Sequence, residues 1–256
     1  MAHHQLRFLL SRRWIVFALA VLLLAAICTR MGFWQLQKLD TRQASNEVVE
    51  RHLAAEPVSL DDALGDRPSV TKAMEWTPVR VSGTYDVEHE LTVKFTTRDG
   101  APGVDVVTPL VQDDGTAVLV NRGWMQTLNT TQERPDVSAP PSVPVTVTGW
   151  LRPDSGADDD AVEPRNGQVR AISSEALESF VPYDLEPGFL NLREQEPPAG
   201  DELSPEPEPD LGQGPHFFYA LQWWFFGLLA IVGWFWFARV ELKERRAGQA
   251  RETRSV

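Results

Sequence analysis

The chain has 256 residues and a mass of 28.7 kDa, room for one or two ordinary domains. It carries 24 Lys and Arg against 36 Asp and Glu, a formal charge of −12, and without a basic patch that acidity excludes a nucleic-acid partner. The one cysteine, Cys28, excludes an internal disulfide and a thiolate metal site, and argues against copper delivery through soft sulfur ligands.

Five of the nine tryptophans (Trp14, Trp223, Trp224, Trp234, Trp236) fall in two apolar stretches at opposite ends. Residues 14–28 hold no charge, and the stretch continues past Thr29 and Arg30 to Trp34. Trp14 and Trp34 are then about 30 Å apart along a helix, the hydrocarbon thickness between two interfacial belts. Arg30 lies one turn inside that limit, within reach of the headgroups or of a carboxylate. Residues 217–238 hold no charged group and give a second span. A cleaved signal peptide is the rival reading of the first stretch, but no small-x-small site follows its core, and Ile27 stands where a lipoprotein box needs a small residue.

The charges orient the two spans. Residues 1–13 hold three Arg and no acid, and residues 239–256 hold six Lys or Arg and three acids, which leaves 15 bases and 33 acids between. Basic tails inside and an acidic body outside is the positive-inside arrangement. The expected organisation is a basic cytoplasmic tail (1–13), a transmembrane helix (14–34), an extracytoplasmic β-rich domain (35–215), a second transmembrane helix (216–238) and a second basic cytoplasmic tail (239–256). Both termini are inside, at a bacterial plasma membrane.

Along the chain, residues 34–55 carry a helical pattern through Leu36, Leu39, Gln43, Val49 and Leu53. The period then becomes two over 79–85 and 91–95, and 104–111 is β-branched before the hairpin signal Asp113-Asp114-Gly115. Further strands are expected at 116–120 and 143–151, and one or two helical turns at 175–180. The expected fold class is therefore a membrane protein of α+β type. Two transmembrane helices flank an extracytoplasmic antiparallel β domain, a small barrel or a sandwich. The acidic, Pro/Gly-rich segments 153–164 and 194–215 read as solvated loops.

Four stretches, in order, resemble the Surfeit locus protein 1 family of cytochrome c oxidase assembly factors. They are Gly32-Phe33-Trp34-Gln35, then Gly103-Val104 through Thr108-Pro109-Leu110, then Asn121-Arg122-Gly123-Trp124, and last His216-Phe217-Phe218-Tyr219-Ala220-Leu221-Gln222-Trp223. The likeness spans about residues 14–240. Lys38 and Arg42 exchange the basic types of that pattern, and the acidic loops are longer. The resemblance implies a non-enzymatic assembly factor for the aa3-type oxidase, which assists haem a insertion or stabilises the catalytic subunit. Its partners would be that subunit or the respiratory supercomplex, and membrane lipid. A stably bound accessory subunit without cofactor contact is the first alternative. A membrane-anchored sensor or ligand-binding domain is the second, although tails of 13 and 18 residues leave it no output domain.

His216 is the sharpest candidate for cofactor chemistry, because imidazole ligates haem iron and aromatic residues such as Tyr219 and Trp223 suit a porphyrin wall. The bland reading is a hydrogen bond to a helix end or a headgroup. No second axial ligand is identifiable: His52 and His89 would serve only if the fold brings them near, and His3 and His4 fall on the other side. Arg122 could pair with a propionate or a partner carboxylate, against an internal ion pair among so many acids. Gly123 suggests a bulge or a close approach, and Trp124 a place in the sheet's core. Trp34 and Gln35 read as interface anchor and helix cap, and Gln222 as an amide that needs another helix. No nucleophile elbow, phosphate loop or metal spacing suggests an enzyme.

Overall fold

The computed structural model describes residues 7–128, 139–200 and 203–254, which divide into two compact units. His3 and His4 lie outside the described residues.

The first unit joins residues up to 46 with those from 211 onward. It is built on α1 (Arg12–Leu53) and the last helix of the chain, α5 (His216–Arg254). Both are long and apolar enough to cross a membrane by length and composition. The helical pattern expected over 34–55 simply continues α1 to Leu53 without a break. Within this unit the two helices run antiparallel. Trp14 meets Trp234 at 5.9 Å between ring centroids, Phe17 meets Phe237 at 6.3 Å, and Phe33 meets Trp224 at 5.6 Å. Small residues let the backbones approach: a β-carbon at Gly32 would overlap the Trp224 indole, and one at Gly227 would lie 3.2 Å from Cys28 Cβ. The chain entering α5 is tied to α1 by Arg42 Nε donating to the Gly212 carbonyl and Asn46 Nδ2 to that of Leu211.

The second unit, residues 47–210, holds β1 (Val58–Ser59), α2 (Leu60–Leu64), β2 (Pro78–Tyr85), β3 (Leu91–Arg98), β4 (Ala101–Val111), β5 (Ala117–Gln126) and β6 (Val145–Arg152). It continues through α3 (Asp159–Val162), β7 (Gln168–Val169), α4 (Ser174–Leu177) and β8 (Leu185–Glu196). Strand order is β1-β2-β6-β8-β5-β4-β3-β7, and a further pairing of Thr84 with Val111 and Tyr85 with Leu110 joins β2 to β4. That pairing closes β2, β6, β8, β5 and β4 into a five-stranded ring, a small barrel. Val79, Val81, Leu110, Val118, Val120, Val147, Leu151 and Leu190 fill it, drawn from all five strands. A second cluster (Leu91, Val93, Val107, Leu119, Val169, Leu177) lies under β3, β7 and α4. Covered on both faces, β4 and β5 are buried almost throughout, including the polar Asp105, Thr108, Asn121 and Arg122.

The sheet corrects the expectation of an antiparallel domain. It is mixed, with β5 parallel to β8, β1 to β2 and β3 to β7. Alternation within a strand fixes its faces but carries no information on its neighbour's direction. The hairpin at Asp113-Asp114-Gly115 forms as expected, Gly115 taking φ +91° between β4 and β5. The acidic segments, in contrast, are not simply solvated. Val162 is buried, and Asp154 accepts from the Ser174 N–H at 2.7 Å and its hydroxyl at 2.6 Å. The segment at 203–207 packs on β5, for the reason given below.

Candidate functional site

The four motif stretches converge on two places, one in each unit. In the first, the His216 ring at the start of α5 lies against Gln35 of α1, with Nδ1 2.9 Å from the amide oxygen Oε1. A carboxamide oxygen only accepts, so in this arrangement Nδ1 is the donor, and in the neutral ring Nε2 keeps its lone pair. Gln35 is therefore no helix cap. It sits inside α1 and orients the imidazole, as an outer-shell group orients a metal-ligating histidine. Gly214, at φ +66°, puts no side chain against the ring edge that carries Nε2, where a β-carbon would touch at 3.5 Å from Cδ2 and 3.8 Å from Nε2. One turn on, Ala220 is fully buried, while Tyr219 remains largely exposed and Trp223 partly so. Trp34 is also exposed, with the Lys38 ammonium 5.8 Å above its ring. Gln222 is exposed and has no hydrogen bond among the described residues. His52 and His89 belong to the other unit and have partners there, the Glu75 carbonyl at 2.8 Å and Asp86 at 2.7 Å.

In the second unit, Asn121-Arg122-Gly123-Trp124 forms a bulge in β5: Val107 pairs with Asn121 and Val106 with Gly123, so Arg122 is the extra residue. Its guanidinium donates to Glu90 Oε2 at 2.9 Å and lies 5.7 Å from the centroid of Tyr85. Thr108 donates to the same carboxylate oxygen at 2.8 Å. With the Arg122 side chain 3% exposed and that of Glu90 11%, this is an internal ion pair. Burial pushes the Tyr85 phenol well above its ordinary value, partly offset by Arg122.

Gly123 allows both a bulge and a close approach. At φ +136°, its added β-carbon would lie 2.7 Å from the Ser204 carbonyl. There Trp124 and Ser204 exchange two backbone hydrogen bonds of 2.8 Å. Arg98 secures the same segment, donating to the Ser204 and Pro205 carbonyls and to Glu206 and Asp105, with its guanidinium 5.5 Å over Trp124. Trp124 is buried, as expected, but outside the two apolar clusters. It walls an open cleft of about 830 Å³ shared with Asp105, Gln126 and Glu206. Burial raises the Asp105 carboxyl above its ordinary value, Arg98 offsets this in part, and Glu206 adds to it. Glu90, Arg98 and Glu206 could not be found by spacing, because each meets its partner only through the sheet register and the return of the chain after β8. Among the described residues, no three His, Cys, Asp or Glu are placed to hold a metal ion.

Comparison with known proteins follows the same motifs. The model of the SURF1 family matches residues 22–228. An uncharacterised SURF1-like protein of Mycobacterium tuberculosis is 29% identical over 250 residues, covering 96% of this chain and 91% of the relative. The cytochrome oxidase assembly protein SHY1 of Saccharomyces cerevisiae is 28% identical over 96 residues, 37% of this chain and 24% of that protein. Surfeit locus protein 1 of mouse is 31% identical over 120 residues, 41% of this chain and 38% of that protein.

Proposed function

The chain belongs to the SURF1 family, and from that premise we propose that it is a membrane-anchored, non-enzymatic assembly factor for aa3-type cytochrome c oxidase. The observation that carries this reading is the family match, which runs from α1 through the barrel into α5 and includes a yeast relative named for oxidase assembly. In this reading α1 and α5 cross the bacterial plasma membrane with both termini inside, and the acidic β unit faces the extracytoplasmic side. The partner is the oxidase catalytic subunit, during or after its acquisition of haem a.

The His216 site suits a haem. Its donor set is an imidazole whose Nδ1–H is already engaged by Gln35 and whose Nε2 is available, beside the partly exposed aromatic side chains of Tyr219 and Trp223. His216 would hold the iron, Gln35 fixes the tautomer, and the porphyrin when bound supplies redox chemistry to the oxidase rather than to this chain. Arg122 is engaged by Glu90 and is left out of this reading.

Deletion of the chain tests the proposal. The expected result is a loss of assembled oxidase, seen as a lowered haem a absorbance in membranes and restored by the wild-type copy. Undiminished oxidase in the deletion strain refutes it. A His216→Ala copy that restores oxidase and its haem content in full would leave an accessory, cofactor-free role in its place.

A further inference from the structure

At the other end of the helix pair from His216, the first turns of α1 and the later turns of α5 enclose a groove of about 600 Å³. We propose that this groove binds a phospholipid with a primary-amine headgroup, of which phosphatidylethanolamine is the simplest. The inference rests on the reading of α1 and α5 as membrane spans. It concerns a different part of them from the His216 site.

The floor is aromatic and held in place by edge-to-face packing. Trp14 lies 5.3 Å from Phe8, 5.8 Å from Phe17 and 5.9 Å from Trp234, and Phe17 lies 6.3 Å from Phe237. Trp14 is buried, whereas Phe17 and Phe237 remain exposed and offer an apolar surface to an acyl chain. Charges of both signs stand on the rim, Arg13 on α1 and Glu241 and Glu244 on α5. Glu241 is taken by Arg245 at 2.7 Å, whose guanidinium also lies 5.0 Å over Phe8. Among the described residues, Arg13 and Glu244 have no ion-pair or hydrogen-bond partner.

An unpaired cation and an unpaired anion on either side of an aromatic floor match a zwitterion with an acyl tail. Guanidinium pairs with a phosphodiester through directed hydrogen bonds, and a carboxylate accepts from a primary ammonium. A choline headgroup has no N–H to donate to Glu244. A glycerol headgroup has no ammonium to offer the Glu244 carboxylate. The volume lies within the range of small-molecule sites, and the charges sit just past the apolar stretch, at headgroup level.

Native mass spectrometry of the full detergent-purified chain, offered equal amounts of dioleoyl phosphatidylethanolamine, phosphatidylcholine and phosphatidylglycerol, tests this. The amine lipid should be retained about two- to fivefold over either competitor, the range expected of partly solvated charge pairs. Arg13→Gln and Glu244→Gln should each bring retention toward parity, while Arg239→Gln leaves it unchanged. Equal retention of the three lipids, or a preference that survives both substitutions, overturns the proposal. Alkaline carbonate extraction of membranes tests the span reading separately, since an integral chain resists it whatever lipid it prefers.

Discussion

Replacing Glu90 with Gln should destabilise the β unit, because it removes the charge of the buried carboxylate that the Arg122 guanidinium and the Thr108 hydroxyl share. With only 3% and 11% of the two side chains exposed, solvent screens the pair little. Removing one partner of such a buried pair costs about 3–5 kcal/mol. Glu90 keeps some water, and Gln can still accept from Thr108, so the lower end, about 3 kcal/mol, is the expectation. With a urea m-value near 2 kcal/mol/M, the midpoint should fall by about 1.5 M. Pulse proteolysis in urea on the detergent-solubilised chain reads this directly. Arg122→Met alone should cost a comparable amount, and the double variant Glu90→Gln/Arg122→Met clearly less than the two summed, since both changes remove the same contact. If Glu90→Gln costs under about 1 kcal/mol, or the two effects simply add, the pair is not what holds Arg122.

Cys28, 2% exposed beside Gly227, should react with maleimide at least about tenfold faster in Gly32→Leu, which forces the Trp224 indole out of the helix contact. Wild-type reactivity equal to the variant's would show that the helices do not pack there. Gly123→Ala, strained at φ +136° and crowding the Ser204 carbonyl, should cost about 1–3 kcal/mol and open the chain near 203–207 to limited proteolysis. Two carboxyls give pH effects of opposite sign. Asp86 is pulled below its ordinary value: burial opposes this, but hydrogen bonds from His89, Tyr183 and the Glu88 N–H prevail. Its contribution is therefore present above the unfolded value of about 3.9 and lost as pH falls through the native one, and Asp86→Asn should remove that acid-side loss. Asp105 is raised, so its contribution is present below the unfolded value and lost as pH rises through the native one. Asp105→Asn should accordingly stabilise most at neutral pH in thermal-midpoint series.

Much of this was legible from residue order alone where the signal is local. The strand at 79–85, the turn at Asp113-Asp114-Gly115 and the helical turns at 175–180 are written in neighbouring side chains, and the structure has them. Pairing direction is not local. That β8 runs between β6 and β5, parallel to β5, rather than beside its predecessor β7, depends on how the barrel closes, and nothing in 185–196 states it. The loop at 194–215 misled for a related reason. Its proline and acid content signals an inability to form a core, which holds, but a segment with no core can still be bound as an extended strap. Arg98 supplies donors for its carbonyls, and Gly123 supplies the missing side chain that lets it approach. Both features lie some eighty residues or more upstream.

Gln35 shows the same limit within a motif. Read alone, a polar residue one position past an interfacial tryptophan suggests a cap, and a histidine at the start of an apolar helix suggests a bond to a helix end. The two bland readings are jointly replaced by one contact, His216 Nδ1 to Gln35 Oε1. That contact is compatible with either role, because it engages Nδ1 and not Nε2. A structural role would be satisfied by either ring nitrogen, whereas a ligand role requires that the protonated one be held and the other left accessible. Gln35→Leu separates these cases. A structural histidine loses only the stability of one hydrogen bond, about 1 kcal/mol. A ligating one also loses its fixed tautomer, and any haem a spectrum of the purified chain should then shift or weaken while the helix pair stays folded.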